Sequence, residues 1–269
     1  MLKRGDKKGQ VTIFIILAIV VVVLGSLIYF FYDDIKISLG LEAEPPKIFL
    51  ENCLNEDMQT AVDRLSLQGG YLDPQHYVMY SGEKVPYLCY TNEYYKLCVM
   101  QQPMLKQSIE TQIEEYIQGR VNFCLEDLKT NYENAGYEVQ LSQGETKVEL
   151  LPKRIATSFS HNLVLKKGEN TQIYGEESGR EINIFLNNNI YELISIANSI
   201  LATEAIAGDT EITTYMDYYH DLKVEKKRQS DGTKIYILTD RNTGDKFMFA
   251  TRSLAFPPGY GLTEVNYNE

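Results

Sequence analysis

The sequence predicts an α+β body carried behind an N-terminal transmembrane helix, with two disulfide-linked amphipathic helices followed by antiparallel sheet. Three observations predict it. A run of 24 residues near the N-terminus, Gly9 to Tyr32, holds no formal charge. Apolar residues then recur at three- and four-residue spacing over two long stretches. Beyond Gly136 the apolar period shortens towards two, broken by Gly, Pro and Asn turns, and helices followed by such strands form α+β rather than parallel α/β folds.

Charge divides the chain before any motif is read. Residues 1–10 hold four bases (Lys3, Arg4, Lys7, Lys8) against Asp6, residues 11–32 hold none of either sign, and the remainder holds 22 bases and 36 acids. A +3 head, a neutral segment and a −14 body therefore share 269 residues. The acidic body argues against nucleic-acid binding, which needs Lys and Arg to displace counterions. It argues equally against docking that body on anionic lipid.

The core of the neutral run, Val11 to Tyr32, extends about 33 Å as a helix, enough for a hydrocarbon core of about 30 Å. In lipid the backbone must satisfy its own hydrogen bonds, so even a Val/Ile-rich run becomes helical. Tyr29, Phe30, Phe31 and Tyr32 form an aromatic belt at one interface and the basic head anchors the other. The bases place the N-terminus in the cytoplasm and residues 33–269 outside. A cleaved secretory signal has a shorter apolar region ending in small residues; here the run is longer and ends in aromatics before Asp33-Asp34, which favours a retained anchor.

Gly40 to Pro46 interrupts any continuing helix, giving a linker over 33–46. Ile48, Leu50, Cys53, Leu54, Met58, Ala61, Val62 and Leu65 then mark an amphipathic helix stopped by Gly69-Gly70. Residues 71–103 hold short β-prone runs, Tyr77–Tyr80 and Pro86–Tyr90. A second amphipathic helix runs from about Met104 to Tyr132 and closes at Asn134-Ala135-Gly136. Candidate strands follow at Tyr137–Leu141, Lys147–Leu151, Arg154–Ser158, Leu163–Lys166 and Glu181–Leu186. A third helix is expected over 190–206, capped by Asn187–Asn189 and stopped by Gly208. Leu222–Arg228, Lys234–Thr239 and Phe247–Arg252 form a meander with Ser230-Asp231-Gly232 as one turn. The organisation is thus a basic tip (1–10), a span (11–32), a linker (33–46), a helical disulfide-stapled region (47–136), an antiparallel-sheet region (137–260) and a tail (261–269).

Lys7-Lys8-Gly9-Gln10, directly before the apolar run, resembles the class III signal of archaeal type IV pilins. The resemblance covers about the first 30 residues. It implies cleavage by a prepilin peptidase between Gly9 and Gln10, retention of the helix, and self-association or filament formation through residues 11–32. Pilins carry a glutamate five residues into the mature helix, where this chain has Phe14. The stretch Phe49-Leu50-Glu51-Asn52-Cys53 through Gln68-Gly69-Gly70-Tyr71 also resembles uncharacterised membrane-anchored surface proteins of small symbiotic archaea, a resemblance that implies no activity.

All four cysteines fall in the outer part, and an even number in an oxidising space favours two disulfides among three pairings. Cys89 and Cys98 are spaced for a locally closed loop, leaving Cys53 and Cys124, each on its helix's apolar face, to join the two helices. A zinc site would need tight Cys pairs, which are absent. His76, His161 and His220 are scattered; Ser158-Phe159-Ser160-His161 offers the residue types of a hydrolase without a nucleophile elbow. Glu114-Glu115 and Glu176-Glu177 are read as solvated faces. No catalytic, cofactor or metal residues are expected, so the chain is read as a non-enzyme.

Tyrosine is abundant, 20 residues with no Trp. Tyr offers large contact area at low rotamer entropy with a hydrogen-bonding tip. Tyr90, Tyr94, Tyr95, Tyr215, Tyr218 and Tyr219 are the expected contact residues, with packing at the edge of the core as the alternative. The function this predicts is a single-pass, cell-surface structural or adhesion protein meeting a protein partner. The alternative is an extracytoplasmic ligand-binding or sensor domain, which would need a separate membrane partner because so few residues stay inside.

Overall fold

The computed structural model describes residues 7–30, 43–175 and 178–257. The N-terminal run is helical from Lys7 to Phe30 (α1), with Gly9 and Gln10 in its first turn. From Ile15 to Leu27 its side chains are exposed. Ser26 is satisfied inside the helix, its Oγ donating to the Val22 carbonyl at 2.5 Å. Residues 1–6 of the basic tip, Phe31 and Tyr32 of the aromatic belt, residues 33–42 of the linker, Glu176-Glu177 and the tail lie outside the described residues.

Pro46 opens α2 (Pro46–Leu67) at the first helical position, where its fixed φ suits the turn and its missing N–H costs nothing. Leu50, Leu54, Met58, Val62 and Leu65 make its buried stripe. The helix ends where Gly70 N–H reaches back to the Leu65 carbonyl at 2.7 Å with φ +91°. A Cβ at Gly70 would lie 2.7 Å from Ile109 Cγ1, so conformation and close packing both require glycine there. Ile109 belongs to α3 (Leu105–Asn134), which buries Ile109, Ile113, Ile117, Val121, Cys124 and Leu128 along one face. The Cys53–Cys124 disulfide joins α2 to α3, with Cα atoms 6.1 Å apart.

Three sheets pack around this helix pair. The largest has order β1-β2-β12-β11-β10, from β1 (Tyr77–Tyr80), β2 (Glu83–Tyr90), β10 (Leu222–Arg228), β11 (Thr233–Asp240) and β12 (Lys246–Arg252), with β3 (Val99–Met100) on β2. Its pairings are antiparallel except β12 with β2, which run parallel. A second sheet orders β4 (Glu138–Leu141), β7 (Leu163–Lys167) and β8 (Asn170–Tyr174). A third orders β5 (Thr146–Leu151), β6 (Arg154–Phe159) and β9 (Ile182–Asn187). The chain is therefore α+β with antiparallel sheets and two disulfides, the second joining Cys89 to Cys98.

α4 (Ile190–Ala207) is apolar and long enough to cross a membrane by length and composition alone. Here it is a core helix. It lies against β11, β12 and β2 and buries Leu193, Ile194, Ala197, Ile200, Leu201 and Glu204. One face of β11 meets α4 through Tyr236 and Leu238, while Ile235 and Ile237 belong to a smaller cluster with Val85, Met248 and Ala250. Val78, Tyr80, Tyr87 and Leu67 pack against that second cluster. β11 is thus buried on both faces, which suits its continuous apolar run Ile235–Leu238 better than a one-sided sheet would.

The free edge of β5 is closed by a side-chain device. Val148 N–H donates to Glu114 Oε1 at 2.7 Å and Leu150 N–H to Glu110 Oε1 at 2.8 Å. Four residues along a helix and two along a strand span similar distances, about 6 and about 6.7 Å, so one face of α3 matches the strand's outward donors. Glu114→Ala is expected to orphan a partly buried N–H and lower stability by about 1–3 kcal/mol. Glu115→Ala, at an exposed position, should change it by about 0.5 kcal/mol or less. Denaturant midpoints of the two variants check this.

Candidate functional site

Between β2 and β3 the chain makes an eight-residue excursion, Thr91–Cys98, closed at its base by Cys89–Cys98 with Cα atoms 5.3 Å apart. Both cysteines are buried. The segment that leaves β12 is laced to it. Thr91 N–H donates to the Arg252 carbonyl (3.1 Å), Tyr95 N–H to Ala255 (2.9 Å) and Leu254 N–H to Lys96 (2.7 Å). Cys98 N–H donates to Ser253 Oγ at 3.0 Å, and Arg252 Nη1 returns a bond to the Thr91 carbonyl at 2.6 Å. Tyr95 and Leu254 both donate in this lacing and have φ +59° and +49°, unusual for residues with a Cβ, and such conformations persist only where neighbouring bonds hold them.

This backbone carries an aromatic platform. The Arg252 guanidinium lies 5.4 Å from the Tyr94 ring centroid. Tyr95 meets Phe256 edge-on at 5.4 Å and 78°. Tyr94, Tyr95 and Phe256 are nonetheless 43, 57 and 49 % exposed, and Leu97 and Val99 beside them in sequence are exposed too. Apolar area held rigidly in solvent can be buried by a partner with little ordering cost. It offers contact and hydrogen-bonding tips.

Comparison with known proteins leaves the geometry to speak for itself: no family model, no curated protein and no solved structure matches this chain.

Of the six expected contact residues, the structure brings only Tyr94 and Tyr95 together on this platform. Tyr90 turns away and packs with His76 (4.3 Å, 84°) and Tyr87 (5.0 Å, 63°). Tyr215 packs against the core, its hydroxyl 2.8 Å from Ser199 Oγ. Tyr218 and Tyr219 are exposed at the end of α5 (Thr213–Tyr218), which packs on β10 at the far edge of the large sheet. Phe256, Leu97 and Arg252 join the platform without having been singled out in the sequence. A stronger signal was available in Leu97-Cys98-Val99, where two large apolar residues flank a disulfide cysteine.

The hydrolase types near His161 do not assemble. Ser160 Oγ bonds to the Glu145 backbone, at 2.7 Å from N and 3.2 Å from O, and His161 Nδ1 is buried without a hydrogen-bond partner among the described residues. Glu114 serves the β5 edge. An open cavity of about 470 Å³ lies between α3, β5 and α4, but Glu110 on its wall is already engaged by Lys106 and Leu150. Among the described residues no group of three or more His, Cys, Asp or Glu is placed to hold a metal.

Burial lowers the His161 pKa from its usual 6.5. A histidine kept neutral by the fold binds its proton more readily when unfolded. Its contribution to stability is complete above pH 6.5 and is lost as pH falls below that value towards the lower folded-state pKa. The denaturation midpoint of the native chain should therefore decline below pH 6.5, and His161→Gln should remove that part of the decline.

Proposed function

We propose that this chain is a single-pass, membrane-anchored surface protein whose disulfide-stapled body presents the Thr91–Cys98 platform to a protein partner. The observation that carries this reading is α1, a 24-residue helix whose side chains from Ile15 to Leu27 are exposed and, but for Ser26, apolar, with Lys7 and Lys8 in its first turn. Two disulfides and no free cysteine among the described residues agree with an oxidising compartment for the body. The net charge of −14 beyond residue 32, from 22 bases and 36 acids, keeps such a body soluble at high surface density.

The test uses the full chain in its membrane. It should stay in the pellet after alkaline carbonate extraction, be digested by protease added outside whole cells, and react with maleimide only after reduction. A carbonate-soluble chain with freely reactive thiols would overturn the reading. Tyr95→Ala together with Phe256→Ala should weaken capture of the partner while leaving the melting curve of the body within a few degrees.

A second version, a pilin-like subunit, is favoured by Lys7-Lys8-Gly9-Gln10. It requires that the mature N-terminus be Gln10 and that surface preparations contain fibres. Mass spectrometry finding Met1 on surface-exposed protein would remove this version and leave the tethered form.

A further inference from the structure

The β1–β2 hairpin ends in a two-residue turn, Ser81-Gly82, with φ +50° and +90°. Its register pairs Tyr80 with Glu83, Met79 with Lys84, Val78 with Val85 and Tyr77 with Pro86. In such a hairpin the pair flanking the turn is hydrogen-bonded and the pairs alternate outward. The bond from Tyr87 N–H to the His76 carbonyl continues this alternation. Even-numbered residues of β1 therefore bond to β2, and Tyr77 and Met79 direct their N–H and C=O groups to the open edge. Pro86, which has no N–H, sits opposite Tyr77 where none is needed.

Three other edges are guarded. β5 is closed by Glu110 and Glu114. β10 carries Lys223, Glu225 and Lys227 in a chain of ion pairs at 2.9 and 3.2 Å. β8 begins with polar Asn170, Thr171 and Gln172. Tyr77–Tyr80 has no charge and no proline, and the Tyr77 and Met79 side chains are exposed on the face away from the core. Open apolar edges are templates for another strand.

We infer that β1 is a self-association edge, on which a second copy of this chain lays its own β1 antiparallel in the same membrane; this rests on the anchoring reading above. Antiparallel pairing requires outward residues to face outward residues. β1 meets that condition with itself when centred on Val78, placing Tyr77 opposite Met79 of the second copy, twice. This arrangement forms about four new backbone bonds and sets a methionine sulfur against a tyrosine ring on each side. The two-fold axis can stand along the membrane normal, which keeps both anchors in one bilayer. A pair of four-residue strands buries far less than the roughly 1,200 Å² of a stable free dimer. Tethering supplies the difference by raising the local concentration of copies. Because the ion-paired β10 edge does not accept β1, pairing stops at a closed dimer.

The experiment places Val78→Cys in the full chain in cell membranes under mild oxidation. Val78 faces Val78 of the second copy at a non-hydrogen-bonded position, where Cα atoms stand about 4.5 Å apart, close enough for a disulfide. A reducible dimer is expected, and adding Met79→Lys should cut its yield about tenfold, a cost of roughly 1.4 kcal/mol. Thr171→Cys on β8 should give no dimer. A second measurement needs no new cysteine: the unaltered chain in lipid nanodiscs should count as two copies by single-molecule photobleaching, and Met79→Lys as one. Membrane-bound chain that gives no Val78→Cys dimer and counts as one copy overturns the inference, as does a Thr171→Cys yield equal to that of Val78→Cys. Chain found in the soluble fraction defeats the anchoring reading instead, and the pairing with it.

Discussion

Lys234→Met is expected to destabilise the body by about 3–5 kcal/mol, although methionine suits the size and surroundings of the position. Glu204 lies in the last turn of α4 and is completely buried. Its carboxylate accepts from Tyr236 Oη at 2.5 Å and Thr251 Oγ1 at 3.2 Å, and pairs with Lys234 Nζ at 2.6 Å. The same ammonium donates to the Gly208 carbonyl just past the end of α4, where the helix dipole favours a cation, and faces Asp209 at 3.6 Å. Burial and then the Glu204 charge push the Tyr236 phenol far above its usual pKa, so it stays a donor. Removing the lysine leaves a carboxylate in the core with two hydroxyls and no counter-charge. Glu204→Gln combined with Lys234→Met should recover most of the loss, because the amide oxygen still accepts from Tyr236, the amide nitrogen donates to the Thr251 hydroxyl, and no buried charge remains. Denaturant midpoints of the single and double variants decide the matter. A single variant within about 1 kcal/mol of the native chain would mean the pair contributes little beyond packing.

Asp209 extends this network to the surface. Burial raises its pKa, but Lys226, Lys234 and Arg228 outweigh that and hold it below the usual carboxylate value. Lys226 Nζ reaches Asp209 at 2.9 Å and the Thr210 carbonyl at 2.6 Å, tying the strand β10 to the chain that leaves α4.

The helices were legible because burial writes itself into spacing: Leu50, Leu54, Met58 and Val62, or Ile109, Ile113, Ile117 and Val121, recur one helical turn apart. The same rule held the clue to the buried network. Glu204 continues the stripe Leu193, Ala197, Ile200, Leu201, and Lys234 stands directly before the apolar run Ile235–Leu238, so an acid and a base each stand at a core position. The parallel pairing of β12 with β2 was not legible, since it joins segments far apart in sequence and neither carries a local mark of its partner. β8 escaped because a polar edge strand, Asn170–Tyr174, has no apolar alternation to read. α5 escaped because six residues hold less than two turns. The platform was half legible. Tyr94 and Tyr95 stand out in sequence, but Phe256 reaches them only because β12 carries the chain back beside the Cys89–Cys98 loop.

Replacing Cys53 and Cys124 together by alanine is expected to cost more than replacing Cys89 and Cys98. The first pair is separated by 71 residues and the second by 9. In the chain-entropy account the longer closed loop restricts the unfolded state more, giving about 4.4 kcal/mol against about 2.7 kcal/mol. For a body of this size the larger figure corresponds to a melting temperature lower by roughly 10–15 °C. The two losses should also differ in kind. Cys53–Cys124 joins α2 to α3 beneath the sheets, so its removal should lower one cooperative transition for the whole body. Cys89–Cys98 closes the platform, whose lacing to Ser253–Ala255 remains, so its removal should loosen Tyr94 and Tyr95 more than it lowers the melting temperature. Calorimetry of the two double variants, beside the native chain with and without reductant, separates these effects. Equal melting shifts would show that loop length does not set the stabilisation. Amides of Thr91–Lys96 that stay as protected from hydrogen exchange without Cys89–Cys98 would show that the backbone lacing alone holds the aromatic residues in place.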